Sequence, residues 1–218
     1  MRPEIAYNEF DRATGVSAEE SLFVLRLKAN EDAAYDELVR VYHTQIFHVA
    51  FRMLGDAGEA ADVVQEIFIK VFRNINGFKG EAALKTWIFR IAFSEILNRL
   101  RWWKRRYKHA TVSLDAEPAG NGNGRSKGFI YGYQVSCSKP TPEQALETKE
   151  QDEAIQKALA KLSSDHRSII ILRDIEGFSY GEIADVLGVS IGTVKSRLAR
   201  GRADLKKSLI RYLSVQRV

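Results

Sequence analysis

Residues 179–205 read SYGEIADVLGVSIGTVKSRLARGRADL, and how this stretch folds decides the architecture of the chain. Ser179 and Glu182 have the three-residue spacing in which a hydroxyl caps a helix start while a carboxylate reaches back to it. The short helix they open runs to Leu187, with Ile183, Ala184 and Leu187 on an apolar face, and Gly188 then turns the chain. Ser190 caps the next helix. On a helical wheel Val194, Leu198, Leu205 and Leu209 gather on one side, where Gly201 permits a close approach. Ser196, Arg200 and Lys207 lie opposite, flanked by Lys195, Arg202 and Lys206. Two helices that cross steeply at a tight glycine turn, the second presenting its basic N-terminal half, form a helix-turn-helix. Such a surface suits DNA, because phosphate contacts supply affinity and register while Lys and Arg also bond guanine edges.

Working outward, helical signals continue in both directions. Upstream, Thr141, Pro142 and Gln144 open a helix to about Lys161, and Ser163 starts another that ends near Ile175, before Gly177. Near the N-terminus, Ser17 with Glu20 and Asp56 with Glu59 repeat the capping spacing. Asn30 can cap a long helix closed by Gly55, with Leu38, Val41, Val49 and Met53 on roughly one face. Further helices are expected from about Ala57 to Arg73 and from about Ala83 to Tyr107. No pair of strands stands out, so the expected fold class is all-α. Between residues 108 and 142 the sequence is crowded with Gly, Ser, Asn and Pro and has no sustained period, which reads as a flexible linker. It divides the chain into two helical domains, 1–107 and 143–218.

The 218 residues are 45% hydrophobic and 28% charged, the composition of a globular protein. The longest aliphatic run, residues 169–172, is far too short for a bilayer, and the opening MRPEIAYNEFDR is charged where a signal peptide is apolar, so a cytoplasmic location is expected. Cys137 is the single cysteine, which excludes an intrachain disulfide and a multi-cysteine metal site. The net charge of +5 is unevenly spread: residues 1–66 hold 6 Lys or Arg against 13 Asp or Glu, and the remainder 27 against 15. An acidic end and a basic remainder suggest two different partners, with nucleic acid the one for the basic part.

A second basic helix lies in the first domain. Trp87, Arg90, Ser94, Asn98, Arg101 and Arg105 recur at intervals of three or four and form one polar stripe. Leu84, Ile88 and Ile91 fill one apolar surface, and Phe89, Phe93, Ile96 and Leu100 another. The helix should therefore be buried on two sides, with the stripe free. Trp102 and Trp103 sit among six basic residues between Arg99 and Lys108, and rings among cations suit unpaired bases that stack while phosphates meet the charges.

These residues carry a family resemblance. DVVQEIFIKVFRNINGFKGEAALKTWIFRIA, followed after the linker by LSSDHRSIIILRDIEGFSYGEIADVLGVSIGTVKSRLARGR, resembles the two domains of a bacterial extracytoplasmic-function RNA polymerase sigma factor, of the sigma-70 family, across nearly the whole chain. The resemblance implies an alternative sigma factor that binds core RNA polymerase, through the β′ clamp helices and the β flap, and directs initiation at specific promoters. It implies that Asp62, Gln65, Glu66 and Ile69, which lie on one side of their helix, form the polymerase-docking face; Val64, Phe68, Val71 and Phe72 can turn inward. The loop NINGFKGEA is implied to capture an extruded base of the minus-ten element, with Phe78, Lys79, Trp87, Arg90, Ser94, Asn98, Arg101 and Arg105 at the melted strand. Ser94 departs from the family, where asparagine is common, which bears on the preferred extruded base. Contacts to the minus-thirty-five element carry over to Lys195, Ser196, Ala199 and Arg200, with a smaller side chain at Ala199 than in some relatives. An anti-sigma protein is a further implied partner.

The linker acquires a mechanical meaning. Promoter elements two helical turns apart are separated by roughly 70 Å, whereas about 34 coil residues average near 30–35 Å. The free domains should sit closer than a promoter requires, so core polymerase must hold them apart. The alternative of a self-sufficient DNA-binding regulator leaves the stripe, the glycine loop and the acidic face without a use. An enzyme has less support: His43, His48, His109 and His166 have no metal-ligand or triad spacing, and no small-molecule substrate, cofactor or catalytic residue is expected.

Overall fold

In the computed structural model the backbone is described for residues 17–110 and 142–215, and the side chains for 17–106 and 151–210. The expected linker over 108–142, with Cys137 and the capping Thr141, lies outside the described residues except at its ends. Eight α-helices make up the described residues: α1 Ala18–Lys28, α2 Asp32–Leu54, α3 Ala57–Asn74, α4 Leu84–Ala110, α5 Pro142–Ala160, α6 Ser164–Ile170, α7 Tyr180–Leu187 and α8 Ile191–Val215. A 3-10 turn, Ile75–Gly77, follows α3, and a wider π-type turn, Ile171–Ile175, extends α6. None of these helices is long and apolar enough to cross a membrane.

In the first domain α2, α3 and α4 pack around Leu38, Ile46, Val49, Met53, Val63, Ile67, Val71, Ile88, Phe89, Phe93 and Ile96, all essentially inaccessible to water. Ser17 caps α1 as its spacing predicts, accepting from the Glu20 amide at 3.1 Å. The Glu20 carboxylate, however, accepts from the amide of Leu84 and so caps α4 instead of its own helix. Asp56 likewise caps α3 through the Glu59 amide at 2.8 Å, while the Glu59 carboxylate turns to Arg99 at 3.0 Å. A carboxylate three residues into a helix thus has a choice of orphan donors, and tertiary neighbours decide it.

Three local expectations are corrected. The N-cap of α2 is Glu31, not Asn30; Asn30 has φ 57° and sits in the left-handed turn that ends α1, a conformation asparagine tolerates. Val41 is 51% exposed, because the buried stripe of α2 follows Leu38, Ile46, Val49 and Met53 and passes it by. Phe72 is also 51% exposed instead of turning inward: the buried stripe of α3 is Ala60, Val63, Val64, Ile67 and Val71, and Phe72 falls at its margin against Tyr35.

The second domain follows its sequence closely. Ser179 and Glu182 form a reciprocal capping box on α7, Gly188 closes α7 in the left-handed conformation, and Ser190 accepts from the Thr193 amide at the start of α8. Val194 and Leu198 bury against the domain core, and a Cβ at Gly201 would lie 3.1 Å from Ile170 and 3.2 Å from the His166 Cβ, so a side chain there would have to push α6 and α8 a few tenths of an ångström apart.

Candidate nucleic-acid and polymerase interfaces

Three surfaces carry the candidate residues. On α8, Lys195, Ser196, Ala199 and Arg200 are all exposed on the side away from Val194 and Leu198. The Ser196 hydroxyl donates to the Thr193 carbonyl at 3.1 Å, and the Lys195 ammonium lies 6.0 Å from the centre of the Tyr180 ring. Two neighbouring cations are engaged elsewhere: Arg197 pairs with Asp165 at 2.9 Å, and Arg202 makes a two-pronged contact with Asp174, its Nε at 3.0 Å. Lys195 and Arg200 are therefore the long basic side chains that this half of α8 presents outward.

The second surface is built on the loop between α3 and α4. Helix α1 holds both ends of it: the Lys28 ammonium donates to the Phe78 carbonyl at 2.7 Å, and Glu20 caps the Leu84 amide. Phe78 is 5% exposed, with its ring 5.4 Å from that of Trp87, so it pins the loop onto α4. A cavity of about 400 Å³ opens beneath the loop, lined by Phe78, Lys79, Trp87 and Arg90 among the expected residues. Glu81, Thr86 and Asp185 line it as well. Sequence reasoning passed over these three, and the structure shows Thr86 to be a buried polar residue, only 3% exposed.

Ser94, Asn98, Arg101 and Arg105 do not reach the cavity. They continue the exposed stripe along α4, Arg105 about 22 Å beyond Arg90 at the helical rise. Trp102 is 44% exposed with the Arg106 guanidinium 5.1 Å from its ring centre, while Trp103 is half-buried.

The third surface is the outer side of α3. Asp62, Gln65, Glu66 and Ile69 are all exposed there, Ile69 by 50%. Glu66 is bonded to Arg99 at 2.8 Å, so the net acidity of the face falls chiefly on Asp62. Among the described residues, no group of His, Cys, Asp and Glu could hold a metal ion.

Comparison with known proteins identifies both domains. Residues 38–106 match the family model described as sigma-70 region 2, and residues 152–205 the model described as sigma-70, region 4. The chain is 34% identical over 186 residues to the ECF RNA polymerase sigma factor SigW of Bacillus subtilis, covering 85% of this chain and 94% of that protein. It is 32% identical over 184 residues to the ECF RNA polymerase sigma-E factor of Escherichia coli K12, covering 84% and 90%. Among solved structures it resembles CnrH in complex with the cytosolic domain of CnrY, with TM-score 0.61, 19% identity and coverage of 88% and 97%. It also resembles the sigma factor RpoE of Bartonella quintana in complex with the anti-sigma factor NepR, with TM-score 0.58, 26% identity and coverage of 80% and 96%.

Proposed function

The chain belongs to the extracytoplasmic-function sigma factors of the sigma-70 family, which recognise promoters and direct transcription initiation, and from that premise we propose how its residues divide the work. Residues 1–107 dock on core RNA polymerase and melt the minus-ten element, 108–142 tether, and 143–218 read the minus-thirty-five element. Asp62, Gln65, Glu66 and Ile69 meet the β′ clamp helices; their exposure on one side of α3 supports this, and an acidic rim steers a basic partner into register. Lys195, Ser196, Ala199 and Arg200 enter the upstream major groove, the two cations bonding phosphates or guanine edges. The β flap, promoter DNA and an anti-sigma protein complete the partners, and the work is done in the cytoplasm without a catalytic residue, metal or small-molecule substrate.

The observation that carries the minus-ten assignment is the exposed polar stripe of α4 running out of the cavity beneath the loop. An extruded base enters the cavity against Trp87, with Phe78 holding the loop as its wall. Lys79 and Arg90 neutralise the phosphates on either side, and Ser94, Asn98, Arg101 and Arg105 follow the displaced strand. Extrusion costs a few kcal/mol, recovered from stacking and phosphate contacts. The test is permanganate reactivity of unpaired thymines in promoter complexes reconstituted with core. Lys79→Ala with Arg90→Ala should abolish opening while core binding persists; opening equal to wild type would remove the cavity from the reaction.

A further inference from the structure

Helix α3, which carries the docking face, is fastened to α4, which carries the polar stripe, by ion pairs along their seam. Lys70 on α3 holds Glu95 on α4 at 2.6 Å. Arg99, one turn beyond Glu95, reaches across to two carboxylates of α3 at once: its Nη1 donates to Glu59 at 3.0 Å and its Nη2 to Glu66 at 2.8 Å. Glu59 and Glu66 start about 10 Å apart along the helix, and the planar fork of a guanidinium lets one side chain gather both. Their shelter is unequal. The Arg99 side chain is 21% exposed, that of Glu59 30% and that of Glu66 51%. The bond to Glu59 is thus the covered one, and the bond to Glu66 is the open one, on the same face of α3 as Asp62, Gln65 and Ile69.

We propose that Arg99 is an internal placeholder for a basic side chain of the polymerase clamp helices: it occupies Glu66 in the free chain, yields it on docking and keeps Glu59. The inference rests on the assignment of the α3 face to core docking. A cation arriving at Glu66 meets a carboxylate whose charge is already answered from within, so its gain is only the difference between two similar ion pairs. The exchange is feasible because Arg99 has a second acceptor. A guanidinium with a single carboxylate would be stranded unpaired in a part-covered seam once that carboxylate was taken, whereas Arg99 stays bonded to Glu59. Arg99 also offsets one of the two negative charges at that end of the face, which weakens the pull on a basic partner. It is a positioning residue that acts through Glu66. The result is a tempered grip on core, weaker and more readily reversed than the exposed carboxylates alone would give.

The test is a double-mutant cycle on the full chain, read as displacement of labelled wild-type chain from core polymerase at about 0.1 M salt. Arg99→Gln should tighten binding about two- to fivefold, the span of an exposed ion pair, and the gain should fade as salt is raised. Glu66→Gln should cost little in the wild-type background and several-fold in the Arg99→Gln background, where core meets an unoccupied carboxylate. Glu59→Gln leaves Arg99 only Glu66 to hold, so it should weaken core binding about twofold, and that loss should vanish when combined with Arg99→Gln. A merely structural role is read from the neighbouring bridge: Lys70→Gln with Glu95→Gln removes an α3–α4 ion pair without changing net charge and should leave core affinity at the wild-type value. Arg99→Gln binding core no more tightly than wild type, or a gain that persists undiminished with Glu66→Gln, overturns the proposal. The parent assignment is read separately. If Asp62→Ala, and Glu66→Gln in the Arg99→Gln background, both leave core binding unaltered, the docking face itself fails; if Asp62→Ala weakens binding while Arg99→Gln does not strengthen it, the face stands and the placeholder alone falls.

Discussion

Replacing Arg167 by Ala removes the side chain that ties three helix ends together. Its guanidinium donates to the Met53 carbonyl at the end of α2 at 2.6 Å, to Ala160 at the end of α5 at 2.6 Å, and to Leu162 at 3.2 Å. The residue is half-buried, and that burial pulls its pKa below the ordinary arginine value while leaving it charged at neutral pH. A hydrogen bond from a charged donor is worth about 1.5–3 kcal/mol. Because the site is partly open, water can replace some of what is lost, so the three contacts together amount to about 2–4 kcal/mol, not their full sum. At about 2–4 °C per kcal/mol for a structure of this size, Arg167→Ala should lower Tm by about 5–15 °C. Only the Met53 bond crosses between the domains, so the single cooperative transition expected of the wild type should broaden or split. Arg167→Lys keeps the charge but not the planar fork that spans several carbonyls, and should recover less than half of the loss. Far-ultraviolet circular dichroism on the full chain measures both. A Tm within about 2 °C of wild type with an unchanged single transition would refute the reasoning.

Other consequences follow from single residues. Arg200→Ala should cost about 1–3 kcal/mol of holoenzyme affinity at the upstream element if it reads a base, measured as a changed promoter profile; an unaltered profile rejects the role. Replacing Asp62 and Glu66 by Ala should weaken competition for core polymerase while the helical signal is preserved, and Asp62→Ala alone should account for most of it, since Glu66 already pairs with Arg99. Burial holds the Glu176 carboxyl above the usual carboxylate range, against the opposing pull of Lys85 and Arg52. A raised carboxyl pKa favours the protonated fold, so the wild-type contribution is full below about pH 4 and lost as pH rises through the raised value. Glu176→Gln should then match wild type in urea at about pH 4 and exceed it at about pH 7.5. Equal stability at both would show that the carboxyl is not desolvated.

The sequence made the second domain legible because its signals are local. The capping box of Ser179 and Glu182, the left-handed Gly188 and the contact at Gly201 each depend on residues a turn apart or on the absence of a side chain. Where local chemistry permits two outcomes, the sequence is silent. Asn30 can cap a helix or occupy a left-handed turn, and the preceding α1 decides for the turn. Glu20 can reach back to Ser17 or forward to Leu84, and the position of α4 decides for Leu84. The stripe of α4 was visible as a period, but the cavity at its head was not, because Asp185 reaches Glu81 and Thr86 from the other domain. The packing of Phe178 on Phe89, 89 residues apart in sequence, leaves no trace in any periodicity, since it arises only when two separately patterned domains meet.

The central claim is that two helical domains become a start-site selector only when core polymerase holds them open. Sequencing the transcripts that core polymerase initiates on fragmented genomic DNA, with and without the purified chain, tests it most directly. The account predicts a new, reproducible set of start sites that share two upstream elements spaced about two helical turns apart, absent when either component is omitted. No new start sites with the chain present, or protection of the same sites by the chain alone at equal specificity, would contradict it.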